Sequence, residues 1–216
     1  MFLIIKQILI SNILPWYLLA KDLGIIVKHC PLDDNHYVTL NNLKSIVTPN
    51  TKVISLAMIT NVIGDLRPIK EICEFAHQNN IFVVVDGAQS IPHIKVDVQD
   101  LDCDFLAFSG HKMCGPTGIG VLYGKYELLQ AMDPFLLGGG SNARFDMCGN
   151  ILLKDAPYKF ESGTPAIEAV LGMKAAILYL QKIGMDKIHD HEIELKKLLV
   201  SELEKIPNII LYNKNS

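Results

Sequence analysis

Short runs of β-branched and other apolar residues alternate along the chain with stretches in which apolar positions recur every three or four residues. The runs at residues 25–29, 53–60, 81–85, 105–108 and 119–123 read as strands, and a further strand begins at 209–212. Residues 15–22 suit a helix stopped by Gly24, and 40–47 a short one. Helical spacing is clearest over 69–78, after Pro68, where Ile69, Ile72, Cys73 and Ala76 fall on one face. Residues 165–183 read as a long helix containing Ala166, Val170, Met173, Ala176 and Leu180, and 186–206 as another, more charged one. The run Ile81-Phe82-Val83-Val84-Val85 is apolar at every position, the mark of a central strand covered on both faces. Such alternation predicts an α/β domain built on a mostly parallel sheet with helices on both faces.

Composition narrows the possibilities. The chain has 216 residues, 50% of them hydrophobic and 20% charged, with a net charge of -3. That length accommodates one full domain and part of another, and it excludes a disordered tail. No block of Lys and Arg forms the basic stripe of a nucleic-acid binder. The apolar first 20 residues are interrupted by Lys6, Gln7, Ser11, Asn12 and Pro15 and carry no basic leader, so neither a membrane span nor an export signal is expected. Five cysteines (Cys30, Cys73, Cys103, Cys114 and Cys148) show neither a CxxC pair nor a disulfide framework. Reduced thiols in the cytoplasm are the simplest reading.

Two polar clusters follow buried strands, where open α/β sheets bind ligands. Asp86-Gly87-Ala88-Gln89 follows one strand, and Ser109-Gly110-His111-Lys112 follows another. A lysine in apolar surroundings is suited to attack an aldehyde and form a Schiff base. If that aldehyde is pyridoxal phosphate, Asp86 can hold its pyridine nitrogen protonated. Ser109 and His111 can reach the phosphate, and Gln89 the phenolic oxygen. Taken singly these residues are ordinary: an Asp after a strand caps turns, and a Lys in a glycine-rich turn is solvated. Metal and hydrolase sites compete on spacing alone. However, His77, His93, His111 and Asp86 show no metal-ligand spacing, and no GxSxG elbow occurs. The Gly115-Pro116-Thr117-Gly118-Ile119-Gly120 segment lacks Walker spacing, and its glycines read as turn formers.

Several segments in order (SNILPW, ITNVIGDLRPI, VDGAQ, SGHKMCGPTGIG, LLGGGSN and KFESGTP) resemble class V aminotransferase-fold enzymes, most closely SufS-type cysteine desulfurases. The resemblance implies the large domain of a pyridoxal-phosphate-dependent transferase of the aspartate aminotransferase type (fold type I), here over residues 1–183. An incomplete small domain would start at 184–216. It implies Lys112 as the lysine that bonds the cofactor and moves the substrate's α-proton, and Asp86 as the pyridinium partner. Asn61 and Gln89 match contacts to the phenolic oxygen, and Ser109 and His111 match phosphate ligands. Thr164 matches a phosphate contact lent to the neighbouring subunit of a homodimer. The implied reaction takes sulfur from L-cysteine, leaves alanine and passes the sulfur on as a persulfide, for iron–sulfur cluster assembly.

The resemblance starts near Ser11 and covers only the middle of family members, implying truncation at both ends. Residues 1–10 match nothing in the family, and Ile8-Leu9-Ile10 stand where it carries a cofactor-stacking His. The chain stops before the family's sulfur-accepting Cys and substrate-binding Arg, and none of the five cysteines takes the acceptor's place. The expectation is a desulfurase-family chain of little or no activity alone. Half of a split enzyme, a non-catalytic remnant and another class V aminotransferase or lyase are the alternatives.

Overall fold

The computed structural model describes residues 2–5 and 10–211. Six strands form one sheet in the order β2-β1-β3-β4-β5-β6. They are β1 (Phe2–Ile5), β2 (Val27–Cys30), β3 (Val53–Ala57), β4 (Phe82–Asp86), β5 (Phe105–Ser109) and β6 (Gly120–Gly124). The first five run parallel, and β6 alone is antiparallel to its neighbour. The reason is local: a glycine-rich turn joins β5 to β6 with no crossover helix to reverse the chain. β1 falls within the residues that read as foreign to the domain, yet its backbone pairs with both β2 and β3. A four-residue strand is too short to announce itself beside a longer oily stretch.

Helices α1 (Ile10–Leu23), α2 (Leu40–Ile46), α3 (Ile69–Gln78) and α4 (Val98–Leu101) connect these strands. α1 starts five residues before Pro15, which lies inside it rather than at its first turn. Thr39 caps α2 by accepting the Asn42 N–H at 3.2 Å, and Asp97 caps α4 by accepting those of Gln99 and Asp100. Beyond the sheet come α5 (Tyr126–Ala131), the hairpin β7 (Asn142–Phe145) and β8 (Ile151–Leu153), then α6 (Ile167–Ile183) and α7 (Met185–Leu203). Of these, periodicity announced only α6 and α7. Residues 209–211 are irregular instead of the expected strand, and Tyr212 lies outside the described residues.

The core lies on one face of the sheet. Ile54, Leu56, Val83, Val85 and Leu106 share that face through the registers Ile54↔Val83, Leu56↔Val85 and Val85↔Leu106, and all are buried. Ile72, Cys73 and Ala76 of α3 and Leu43 of α2 complete the same cluster. On the opposite face α1 lies over β3, where Ser55 Oγ donates to Asn12 Oδ1 at 2.8 Å. Toward the other side of that face, Phe82 and Leu122 are 46% and 56% exposed. The uniformly apolar run at 81–85 predicted burial on both faces, but cover is incomplete over β4–β6. That open face is where the crevice forms.

At the sheet edge where β5 begins, four ionisable side chains interlock. Lys125 Nζ lies 2.6 Å from Asp102 and 3.3 Å from Asp104, while His77 contacts Asp102 through Nδ1 and Asp104 through Nε2. Asp104 also accepts the Val83 N–H at 2.7 Å. The Lys125 hydrogen bond holds the Asp102 carboxyl below its ordinary pKa; slight burial opposes it, and the charges of Lys125 and His77 assist. A lowered carboxylate pKa gives stability that is complete above the unfolded value of about 3.9 and is lost as pH falls through the folded one. Asp102→Asn therefore flattens the acid limb of stability below about pH 4. Because Asp102 is well exposed, its cost at neutral pH stays under about 1 kcal/mol. Melting temperature against pH for both proteins checks this.

Candidate functional site

Asp86 ends β4 and Ser109 ends β5, and because these strands are parallel both residues emerge at the same sheet edge. After Ser109 the chain makes a 3-10 turn over Gly110–Met113, carrying His111 and Lys112. Met113 is buried against Met173 and Leu180 of α6, which anchors the turn from behind. Gly110 allows the close approach of the returning strand. A Cβ there would sit 2.9 Å from the Ile119 side chain and 3.2 Å from two backbone oxygens, and the Gly110 N–H donates to Ile119 O at 2.9 Å.

The result is a crevice of about 560 Å³, floored by Val84 and Ala107. Asn61, Asp86, Ser109, His111 and Lys112 line it, and Gln89 joins Asn61, Asp86 and Lys112 around an adjoining recess. Six of the seven expected residues thus converge. Thr164 does not: it is exposed on the segment before α6 and lines neither space. That segment is held by the glycine run 138–140, where a Cβ on Gly138 or Gly140 would collide with the carbonyl of Ser162 or Glu161. The Ile8 and Leu9 positions lie outside the described residues.

Polar satisfaction shows what the crevice suits. Among the described residues, the side chains of Ser109, His111 and Lys112 have no hydrogen-bond or ion-pair partner. One Asp86 oxygen accepts the Ala88 N–H at 3.0 Å, leaving the other available. Gln89 Nε2 donates to Asn61 Oδ1 at 2.7 Å. An amine, a hydroxyl and an imidazole beside one carboxylate form a donor-rich cradle with a single anionic pole. This suits a ligand that carries an anion at one end, a carbonyl, and a basic ring nitrogen. Among the described residues, no group of three His, Cys, Asp or Glu side chains is placed to hold a metal ion.

Residue-by-residue reasoning missed Ser11 and Asn12, which line the crevice from the start of α1. Asn12 Oδ1 accepts from both Ser55 Oγ and Trp16 Nε1, which fixes the amide's orientation. Two adjacent polar residues opening an apolar helix were the available signal. No cysteine lines the crevice. Burial pushes the thiols of Cys30 and Cys103 up to about 11 and that of Cys73 up to about 12, far from nucleophilic at neutral pH. Cys114 and Cys148 are exposed, and Cys114 serves as a left-handed turn residue at φ 63°.

A model of the class-V aminotransferases matches residues 3–216, and the chain belongs to that family, whose enzymes depend on pyridoxal phosphate. The match begins inside β1, so most of the first ten residues belong to the family domain, contrary to the expectation that they match nothing. Within the family the likeness is to cysteine desulfurases. The chain is 43% identical over 204 residues to a probable cysteine desulfurase of Halalkalibacterium halodurans, covering 94% of this chain and 50% of that one. It is 40% identical over 202 residues to a cysteine desulfurase of Cronobacter sakazakii, covering 94% and 50%. The structure superposes on the Escherichia coli cysteine desulfurase CsdA with a TM-score of 0.91 at 37% identity, covering 95% of this chain and 51% of that one. The chain spans about half the length of the curated relatives it matches.

Gly110→Ala is expected to cost about 1–3 kcal/mol by overpacking against Ile119, read from denaturant unfolding. In the native chain Cys114 and Cys148 should react with a thiol reagent within minutes. Cys30, Cys73 and Cys103 should react only after unfolding, as peptide mapping of the labelled sites will show.

Proposed function

We propose that this chain binds pyridoxal 5'-phosphate at the strand ends of β4 and β5 and is the cofactor-holding part of a cysteine desulfurase. The carrying observation is the pairing of Asp86 with a partnerless Lys112 around one crevice at the end of a parallel strand pair. In this reading the Lys112 amine anchors the cofactor and carries a proton to and from the substrate's α-carbon. The Asp86 carboxylate would hold the pyridine nitrogen protonated. Asn61 and Gln89, already hydrogen-bonded to each other, would supply the contacts to the phenolic oxygen. Ser109 and His111 donate to the phosphate, and Thr164, exposed and outside the crevice, contributes to the site of a second copy in a homodimer. When bound, the cofactor supplies an electron sink that loosens bonds at the amino acid's α- and β-carbons.

The substrate in this reading is L-cysteine: its carbon–sulfur bond breaks, alanine leaves, and the sulfur passes to an acceptor thiol and onward to an acceptor protein. No described thiol lines the crevice, and neither arginine does. In this reading the described residues hold the cofactor but place neither a sulfur acceptor nor an arginine for the substrate carboxylate at the crevice. Desulfuration by this chain alone should be weak or absent. No helix among the described residues is long and apolar enough to cross a membrane. Residues 1–183 make the large domain in this reading, and α7, beginning after the left-handed Gly184 (φ 94°), starts a second.

The test is made on the purified chain with pyridoxal phosphate. A visible band should appear, and borohydride should fix the added mass on Lys112. Lys112→Ala should lose both, and Asp86→Asn should weaken cofactor binding roughly tenfold to a hundredfold, the worth of a charge-assisted hydrogen bond. Labelling scattered over surface lysines, or no band, overturns the reading.

A further inference from the structure

Asp65 and Arg67 form the most deeply buried ion pair among the described residues. Their side chains are 4% and 0% exposed, and Arg67 Nε lies 3.3 Å from Asp65 Oδ2. Removing two charges from water is costly, and an apolar pair of similar size would often serve stability better. Burial pushes the Asp65 carboxyl up, and the Arg67 charge and hydrogen bond oppose it. Neither residue lines the crevice or its recess. Their neighbours do.

The Arg67 N–H donates to Met58 O at 2.9 Å, and the Met58 N–H donates to Asp86 O at 3.0 Å. Arg67 Nη1 donates to the carbonyl of Ala57, which pairs in register with Asp86. The loop between is closed on itself. Thr60 N–H donates to Asp65 O at 3.1 Å, Asp65 N–H donates to Thr60 Oγ1 at 2.9 Å, and Ile59 bridges to Leu66. Asn61 stands on that loop and accepts from Gln89 across the recess.

We propose that the buried Asp65–Arg67 pair positions the cofactor site, clamping the loop that carries Asn61 to the strand end that carries Asp86. An apolar pair would fill the same volume and keep the backbone bonds between Asp65 and Thr60, but it could neither reach the Ala57 carbonyl nor make the Asp65–Arg67 bond that ties the loop to that strand end. Directional bonds are what the charges add, and the direction they set is that of the Asn61–Gln89 contact. Both are positioning residues, acting through Asn61 and Asp86. The cofactor part of this inference rests on the reading above; the Asn61–Gln89 geometry does not.

The test uses the full chain and two variants, Arg67→Lys and the doubly neutral Asp65→Asn/Arg67→Met, which leaves no lone buried charge. Melting temperature establishes that the double variant folds. In the chain without cofactor, the side-chain amide signals of Asn61 and Gln89 should be dispersed in the wild type and move toward free-amide positions in the double variant. With pyridoxal phosphate, the folded double variant should bind about tenfold more weakly with a shifted absorption maximum, its borohydride label still on Lys112. Arg67→Lys keeps the charge but not the guanidinium's two directed bonds, so its affinity should fall between those of the wild type and the double variant. A folded double variant with unmoved amide signals and wild-type affinity overturns the proposal. If the wild type itself binds no cofactor, the cofactor reading fails, and the amide signals alone decide whether the pair positions the loop.

Discussion

The parallel ladder between β4 and β5 pairs Val85 with Leu106 and Asp86 with Ala107, so both strands deliver their last residues to one edge of the sheet. Were this pair antiparallel, the two ends would lie roughly 13 Å apart, at about 3.3 Å per residue over the four steps of a five-residue strand. Asp86 and Lys112 could not then share a crevice. The hydrogen-bond ladder also makes the separation rigid, since neither end moves without breaking strand pairing. The antiparallel β6 has a part in this: its return brings Ile119 back against Gly110, closing the turn that presents His111 and Lys112.

Stability and chemistry occupy different faces and edges of the same sheet. The face carrying Ile54, Leu56, Val83, Val85 and Leu106 is sealed by α2 and α3 and supplies the hydrophobic driving force. On the other face Val84 and Ala107 floor an open crevice where Ser109, His111 and Lys112 have no side-chain partner among the described residues. The edge remote from the crevice is the reverse, with His77, Asp102, Asp104 and Lys125 satisfying one another. Between these extremes lies the Asp65–Arg67 pair, buried like the core yet hydrogen-bonded to strand ends that carry the site. A network of that kind raises the cost of disorder in the Asn61 loop without touching any ligand.

Much of this was written in the sequence. Helical periodicity located α3 and α6, with Ile69, Ile72, Cys73 and Ala76 all buried as spaced. The two polar clusters after apolar runs already pointed to the crevice, because open α/β sheets bind ligands beyond the carboxyl ends of their strands. The short elements α4, α5, β7 and β8 escaped notice, since three to six residues give too little periodicity to read. β1 was hidden by its oily surroundings, and the start of α1 by the habit of placing Pro at a helix's first turn.

By itself the sequence determined the α/β alternation, the family motifs and five crevice residues (Asp86, Gln89, Ser109, His111 and Lys112), because these depend on local pattern and residue chemistry; Asn61 was named only through the family resemblance. Only the tertiary structure decided which strands are neighbours, that β1 lies between β2 and β3, and that burial over β4–β6 is one-sided. It also decided that Ser11 and Asn12 reach the crevice while Thr164 stays outside it, and that Arg67 is buried beneath it. Those facts depend on contacts between residues distant in the chain, such as Asn12 with Ser55 and Asn61 with Gln89, and no local spacing encodes them.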